Sequence, residues 1–407
     1  MTDVRAEKSK LLSQVRNRGG RGDRSPLGRW FWDIDRMLLL LTLCLIAIGL
    51  IAVAAASPAS AMRYSGERLK FPPLYFFWRQ LAWVGVSLPV LFGVSMLPVA
   101  QARRLAVTGA GVFIVLLAAT PIIGVEVNGA RRWIGVGIAQ FQPSEFLKPL
   151  FIVTIAWLLS LKAREEELPT VLITGALTAL VAAMLMLQPD FGQTIVFCLV
   201  WGALLMIAGT PTRVLAGLAA MVPVGLVAAY LFYGTARSRI DAFLFPGIEG
   251  EGAADHFQVD AAHRTLTGGG LTGTGPGGGQ AKFGLPEAHT DYIYSVIGEE
   301  FGLIACAVVS LVFLAIVVSL FVRLLDEEDE FKLLAASGLA VQFGAQALIS
   351  LAVNPGLAPS KGMTMPFISY GGSSMIALSI GMGLLLALTR RNPFLTRSPY
   401  VVRWSGK

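Results

Sequence analysis

Charge is scarce in this chain. Charged residues make up 14% of its 407 residues and hydrophobic ones 55%, where a soluble domain carries about 25% charged residues. A chain so poor in charge has no means of covering the surface of a water-soluble globule. Cysteine is scarce too. Cys44, Cys198 and Cys306 are the whole set, each inside an apolar run, so neither a disulfide framework nor a thiolate metal site is expected. The three histidines, His256, His263 and His289, all fall between residues 234 and 291. None is spaced to act as base for a serine, which removes a serine-hydrolase reading. No internal repeat is evident, and the inverted repeats of many carriers are missing with it.

Long apolar runs are what the chain has instead. Met37 to Ser57 and Val107 to Gly124 hold no charged residue, and each matches a hydrocarbon core about 30 Å thick. Windows of about 20 residues place ten spans near 37–57, 75–97, 105–124, 144–162, 169–187, 191–209, 213–233, 292–323, 333–354 and 367–389. The expected fold class is all-α: a polytopic membrane protein with about ten transmembrane helices and a large extracytoplasmic loop. Its expected parts are a basic tail (1–36), a membrane domain (37–389) and a second tail (390–407). The eighth run is too long for one perpendicular crossing and must tilt or project. Small residues from Ala54 to Ala61 resemble a signal-peptidase site. The apolar run before them exceeds the roughly 7–15 residues of a signal h-region, so an uncleaved span is expected.

The net charge of +7 sits at the ends and turns. Arg5, Lys8, Lys10, Arg16, Arg18, Arg21 and Arg24 precede the first run; Arg390, Arg391, Arg397, Arg403 and Lys407 follow the last. Flanking Lys and Arg mark cytoplasmic ends. Both termini therefore read as cytoplasmic, which an even number of spans satisfies, and nucleic acid is not an expected partner. The acidic run Asp326–Glu330 reads as a solvated turn. Outer loops fall at 125–143, 234–291 and 355–366.

The chemistry-bearing residues cluster in those loops. The glycine-rich stretch 268–279 contains a GxGxxG spacing at 273–278, but a dinucleotide fingerprint needs a preceding strand and a following helix. A flexible loop close to a membrane-borne substrate is the expectation. His289, Thr290 and Asp291 stand where the largest loop meets the eighth span, with Glu299 and Glu300 further in. Ionisable residues in a spanning segment are costly and mark function. Partial desolvation suits Asp291 to general-base work; its alternative role is a helix N-cap. On a straight helix Glu299 would lie about 12 Å below Asp291 and line the same cavity or bind a neighbouring helix. Arg131, Arg132 and Trp133 lie in the first outer loop, and Ser144, Glu145 and Lys148 open the fourth span. Glu145 and Lys148, three residues apart, pair on one helix face. Gln188 and Asp190 form a tight turn, and Arg237 and Arg239 follow span seven. Lys361 precedes Ser369, Tyr370, Gly371, Gly372 and Ser373 at the tenth span; small residues there also permit close helix packing.

Taken in order, NGARRWI (128–134), QPSEFLK (142–148), QPDFG (188–192), PEAHTD (286–291) and PFISYGGSS (366–374) resemble the motifs of the SEDS family, the shape, elongation, division and sporulation proteins. The resemblance runs from about Asp33 to Arg391. PSKGMT (359–364), IGEE (297–300) and the long basic tail are more similar to the cell-division branch than to the rod-shape branch. The resemblance implies a peptidoglycan glycosyltransferase that polymerises lipid II, an undecaprenyl-pyrophosphate-linked disaccharide peptide, at the outer face of the bacterial inner membrane. It also implies a class B penicillin-binding protein transpeptidase and other divisome membrane proteins as partners, and a place at the division septum. Asp291 matches the family's essential aspartate and is expected to be the base, or the ligand of an activating divalent cation such as Mg or Mn. Arg131, Arg132, Lys148, Arg237, Arg239, Lys282 and Lys361 form the pool expected to hold pyrophosphate. Two departures occur: His263–Arg264 where the family has small or polar residues, and Ser350 where many division members have Asn, with Asn354 nearby to replace it. The rival readings are a flippase of the lipid-linked precursor, a rod-shape polymerase of the same family, and a division scaffold without chemistry.

Overall fold

The computed structural model describes residues 26–66, 70–127, 130–137, 140–163, 167–244, 253–359 and 362–390. The basic tails at 1–25 and 391–407, and Lys361, lie outside them. A short helix, α1 (Pro26–Asp33), leads into α2 (Arg36–Tyr64), whose first turn is capped by Asp35 accepting from Leu38 N at 3.1 Å. There follow α3 (Tyr75–Ser95), α4 (Val99–Ile123), a two-stranded antiparallel hairpin of β1 (Val125–Val127) and β2 (Ala130–Trp133), and α5 (Pro143–Ser160). Next come α6 (Thr170–Leu187), α7 (Phe191–Ile207), α8 (Thr212–Phe232), α9 (Gly234–Leu244) and α10 (Ala253–Gly268). The last three are α11 (Ile293–Leu324), α12 (Glu330–Val353) and α13 (Gly372–Leu388).

Among the described residues, eight of these helices are long and apolar enough to cross a bilayer, and α7 and α13 are apolar helices of 17 residues. The chain is a multi-pass membrane protein. α5 sits at its centre, packed against α4, α12 and α13. The packing leaves 72% of its apolar window buried, where α8 buries none. Successive helices run in alternate directions, so the hairpin, α9, α10 and the starts of α5, α7, α11 and α13 gather at one end. At the other end Arg323 pairs with Asp35 at 2.6 Å and donates to Thr389 O at 3.1 Å, while Arg390 donates to the carbonyls of Met96 and Leu97. That clamp joins the start of α2 to the ends of α3, α11 and α13.

Three expectations need correction. The segment 234–291 is not simply a loop: α9, α10 and a 3-10 turn at Ala281–Gly284 occupy much of it. The eighth run is not one tilted helix. At Gly302 the backbone turns to φ 81°, ψ 174° and α11 breaks. The glycine-rich stretch fills the break. Leu303 N and Ile304 N donate to Gly270 O and Leu271 O, while Glu299 O and Glu300 O accept from Thr274 N and Gly275 N. Backbone groups freed inside a membrane protein must find such partners. The glycines are therefore bound to α11 rather than lying loose beside a substrate. Gly273 (φ 84°) packs where a Cβ would overlap Glu300 O.

Candidate active site

An open cavity of about 630 Å³ lies at the hairpin end. Asp291 is on its wall, half-buried, in the turn before α11. Three elements hold that turn. From α2, Ser60 Oγ meets His289 Nδ1 at 2.9 Å and Tyr64 donates to Glu287 Oε1 at 2.7 Å. From the lead into α13, Ser369 Oγ donates to Thr290 O at 2.6 Å and Tyr370 N to His289 O at 2.8 Å. From the end of α12, Asn354 accepts from Ser295 N and Oγ and donates to Asp291 O at 3.4 Å. Asp291 does not cap α11: Tyr292 holds the cap position and no side chain bonds there.

The backbone is thus fixed while the carboxylate itself is left facing the cavity; among the described residues no donor hydrogen-bonds it. Burial and the neighbouring Glu287 charge raise its pKa to about 7, against the pull of Arg239 and Arg132. Those two arginines line the same cavity. Arg132 is aimed by bonds to the carbonyls of Gln188 and Pro189. Trp133, Glu145, Thr290, Tyr370, Gly371, Gly372 and Ser373 complete the expected part of the lining, and Ser350 lines it too.

Other expected residues stand elsewhere. Arg131 is exposed and pairs with Glu126 at 3.4 Å; Arg237 is exposed and pairs with Asp241 at 3.7 Å. Lys148 is 1% exposed, with Glu145 at 2.9 Å and Gln346 at 3.4 Å, beneath the cavity rather than on its wall. Lys282, also 1% exposed, pairs with Glu300 and donates to Ala55 O at 3.0 Å. None of these four lines the cavity that holds Asp291. Glu299 is spent on the backbone, accepting from Ala281 N and Lys282 N, and does not line the cavity. Ser144 is buried off the cavity. Gln188 donates to Leu117 O at 2.7 Å, and Asp190 caps α7 at Gln193 N and accepts from Gln142 at 2.9 Å. His289 is buried among Phe76, Tyr370 and Tyr64, and burial lowers its pKa to about 4. Ser369 also bonds Met365 N; it shapes the turn.

The cavity contains residues that sequence reasoning passed over. Arg79 of α3 lines it, with its guanidinium 5.6 Å from the Tyr75 ring and 5.9 Å from the Tyr370 ring. An arginine inside an apolar span was the available signal. Glu287, Tyr64 and Trp83 line it too. Among the described residues no group of three His, Cys, Asp or Glu side chains could form a metal cage; a Mg ion held by one or two carboxylates and substrate phosphates needs none, and Asp291 is a carboxylate on the cavity wall, which it shares with Arg132 and Arg239.

The sequence profile of the FtsW, RodA and SpoVE cell cycle proteins matches residues 35–393. A probable peptidoglycan glycosyltransferase FtsW of Caulobacter vibrioides is 37% identical over 383 residues, 94% of this chain and 96% of the relative. The protein of the same name from Nitrosomonas europaea is 33% identical, over 88% of this chain and 94% of its own. Among solved structures, a chain of a peptidoglycan synthase complex that coordinates polymerization and crosslinking superposes with a TM-score of 0.69 at 28% identity, covering 88% of this chain and 97% of that one. The rod shape determining protein RodA of Thermus thermophilus gives 0.62 at 28% identity, covering 88% and 96%. With the profile spanning most of its length, the chain belongs to the family of FtsW, RodA and SpoVE cell cycle proteins, the SEDS family.

Proposed function

We propose that this chain is a peptidoglycan glycosyltransferase that polymerises lipid II into glycan strands, with Asp291 as general base. The observation that carries the reading is a carboxylate held by its backbone on three sides, open to a cavity that also presents Arg132 and Arg239. An acceptor sugar hydroxyl attacks the anomeric carbon of the donor. Its proton passes to Asp291, the new C–O bond forms, and the bond to the lipid pyrophosphate breaks with inversion. Arg132 and Arg239 face the charge that grows on the departing pyrophosphate, and fixed charge of this kind is a large catalytic term. Arg79, beside Tyr370 on the same cavity, holds a second anionic headgroup. The relatives named FtsW favour the cell-division branch; septal synthesis in the inner membrane goes with that reading, and the basic residues flanking the first and last apolar runs favour cytoplasmic termini. The solved synthase complex favours a class B penicillin-binding protein as partner, alongside other divisome proteins.

The test is the purified chain with lipid II in detergent, where a transporter has no sides to work between. Polymer is expected, and Asp291→Asn lowers its rate by ~100-fold or more while leaving membrane insertion intact. The base form of Asp291 dominates above its pKa of about 7. The rate therefore climbs as pH rises through 7 and is lost below it. A chain that makes no polymer yet moves lipid II across vesicles overturns the proposal in favour of a flippase.

A further inference from the structure

The turn that carries Asp291 is organised around a residue the chemistry above does not use. Glu287 has a φ of 50°, in the left-handed region that an L residue enters only at a cost. That conformation turns its carbonyl towards the following residues, where it accepts from Thr290 N at 3.1 Å and Tyr292 N at 3.3 Å. Its carboxylate is engaged at both oxygens. Oε1 accepts from the Tyr64 hydroxyl and Oε2 from the Thr290 hydroxyl, each at 2.7 Å. Tyr64 ends α2, one turn after the Ser60 that holds His289. Two hydroxyl donors aimed at one side chain call for two acceptor oxygens, which a carboxylate has and an amide lacks.

We propose that Glu287 is a positioning residue for the general base: held by Tyr64 and Thr290, it fixes the turn bearing Asp291 and keeps a second negative charge beside that carboxylate, so that Asp291 is a stronger proton acceptor. The inference rests on the reading of Asp291 as base. Among the described residues, the charged and titratable groups around Asp291 are Arg132 from β2, Arg239 from α9, Tyr64 from α2, and Glu287 and His289 in its own turn, with Arg79 from α3 and Glu145 from α5 elsewhere on the same cavity. The end of α12 and the lead into α13 bring Ser350, Asn354, Gly362 and Thr364, none of which titrates in the working range. Two arginines pull Asp291 towards the ionised, weakly basic state. Glu287 opposes them, and a like charge disfavours ionisation of its neighbour. Without it the two arginines would act on Asp291 unopposed, and that carboxylate would accept protons less readily.

Two readouts on the full-length chain in nanodiscs test this. The first is the pH profile of polymerisation. The second, independent of activity, is pH-difference infrared spectroscopy, with the Asp291 carboxyl band identified by its loss in Asp291→Asn. Glu287→Gln is expected to move the acid limb and the infrared midpoint down together by about one pH unit. Glu287→Asp, which keeps the charge, leaves the midpoint in place. Tyr64→Phe removes one hydrogen bond and no charge; it lowers kcat by about tenfold with KM nearly unchanged, as a misaimed base would. An infrared midpoint that stays put in Glu287→Gln overturns the electrostatic part. A Tyr64→Phe chain with full kcat overturns the positioning part. A wild-type chain that makes no polymer overturns the reading of function instead, and the infrared midpoints still decide the role of Glu287.

Discussion

Seven cationic side chains stand near the outer loops in sequence, and at residue scale the structure sorts them by what surrounds each. Arg132 and Arg239 reach the cavity, whereas Lys282 is fully buried against Glu300. Sequence gives no access to that distinction, because burial of a long side chain depends on elements far away in the chain; Lys282 meets Ala55, 227 positions earlier. The pairing of Glu145 with Lys148 was legible because it is local to one helix. The two kinds of cation separate in experiment. Lys282→Met strands a buried carboxylate and is expected to destabilise by about 3–5 kcal/mol, most of which Lys282→Met with Glu300→Leu recovers. Thermal unfolding in detergent reads both. Arg239→Gln should hardly move the melting temperature yet raise KM about tenfold, a loss of ~1.4 kcal/mol of binding. An unchanged KM would remove Arg239 from the phosphate site.

At the scale of elements, hydropathy located the spanning helices because twenty apolar residues have few other uses. It failed at α11, where 32 residues read as one run and the break at Gly302 leaves no trace in hydrophobicity. It also started the last span early: residues 367–371 are apolar or small, but they fold as the turn that grips Thr290 and His289. The turn bearing Asp291 was legible as a motif, while its supports were not; Ser60, Tyr64 and Asn354 come from helices whose facing sides only packing determines. The break in α11 makes a prediction of its own. At Gly302 any Cβ would overlap Leu271 O, in a left-handed backbone that disfavours L residues. Gly302→Ala should cost more than ~2 kcal/mol and expose the segment 268–284 to protease. Gly217→Ala, in open space on α8, should be neutral or slightly stabilising.

The whole molecule is uneven. One central helix is largely enclosed, while α8 has no buried residue. Leu147→Ala in α5 is expected to cost about 2–5 kcal/mol through the cavity it leaves, and Leu226→Ala in α8 less than ~0.5 kcal/mol. Equal costs in a detergent melt would mean that α8 packs on the body. The ends differ as well, for one is clamped by Arg323 and Arg390 and the other opens into the cavity.

That clamp has a bearing on biogenesis. It ties Asp35, near the first span, to Arg323 and to the carbonyl of Thr389 behind the last, so it can close only after the final helix has left the ribosome and the insertion machinery. The cavity waits for the same helix, since Tyr370 to Ser373 form one of its walls. A half-made chain, already threaded through the bilayer, would therefore have its aspartate in place and nowhere to seat a sugar, and synthesis of the wall could not begin before synthesis of the protein was nearly done.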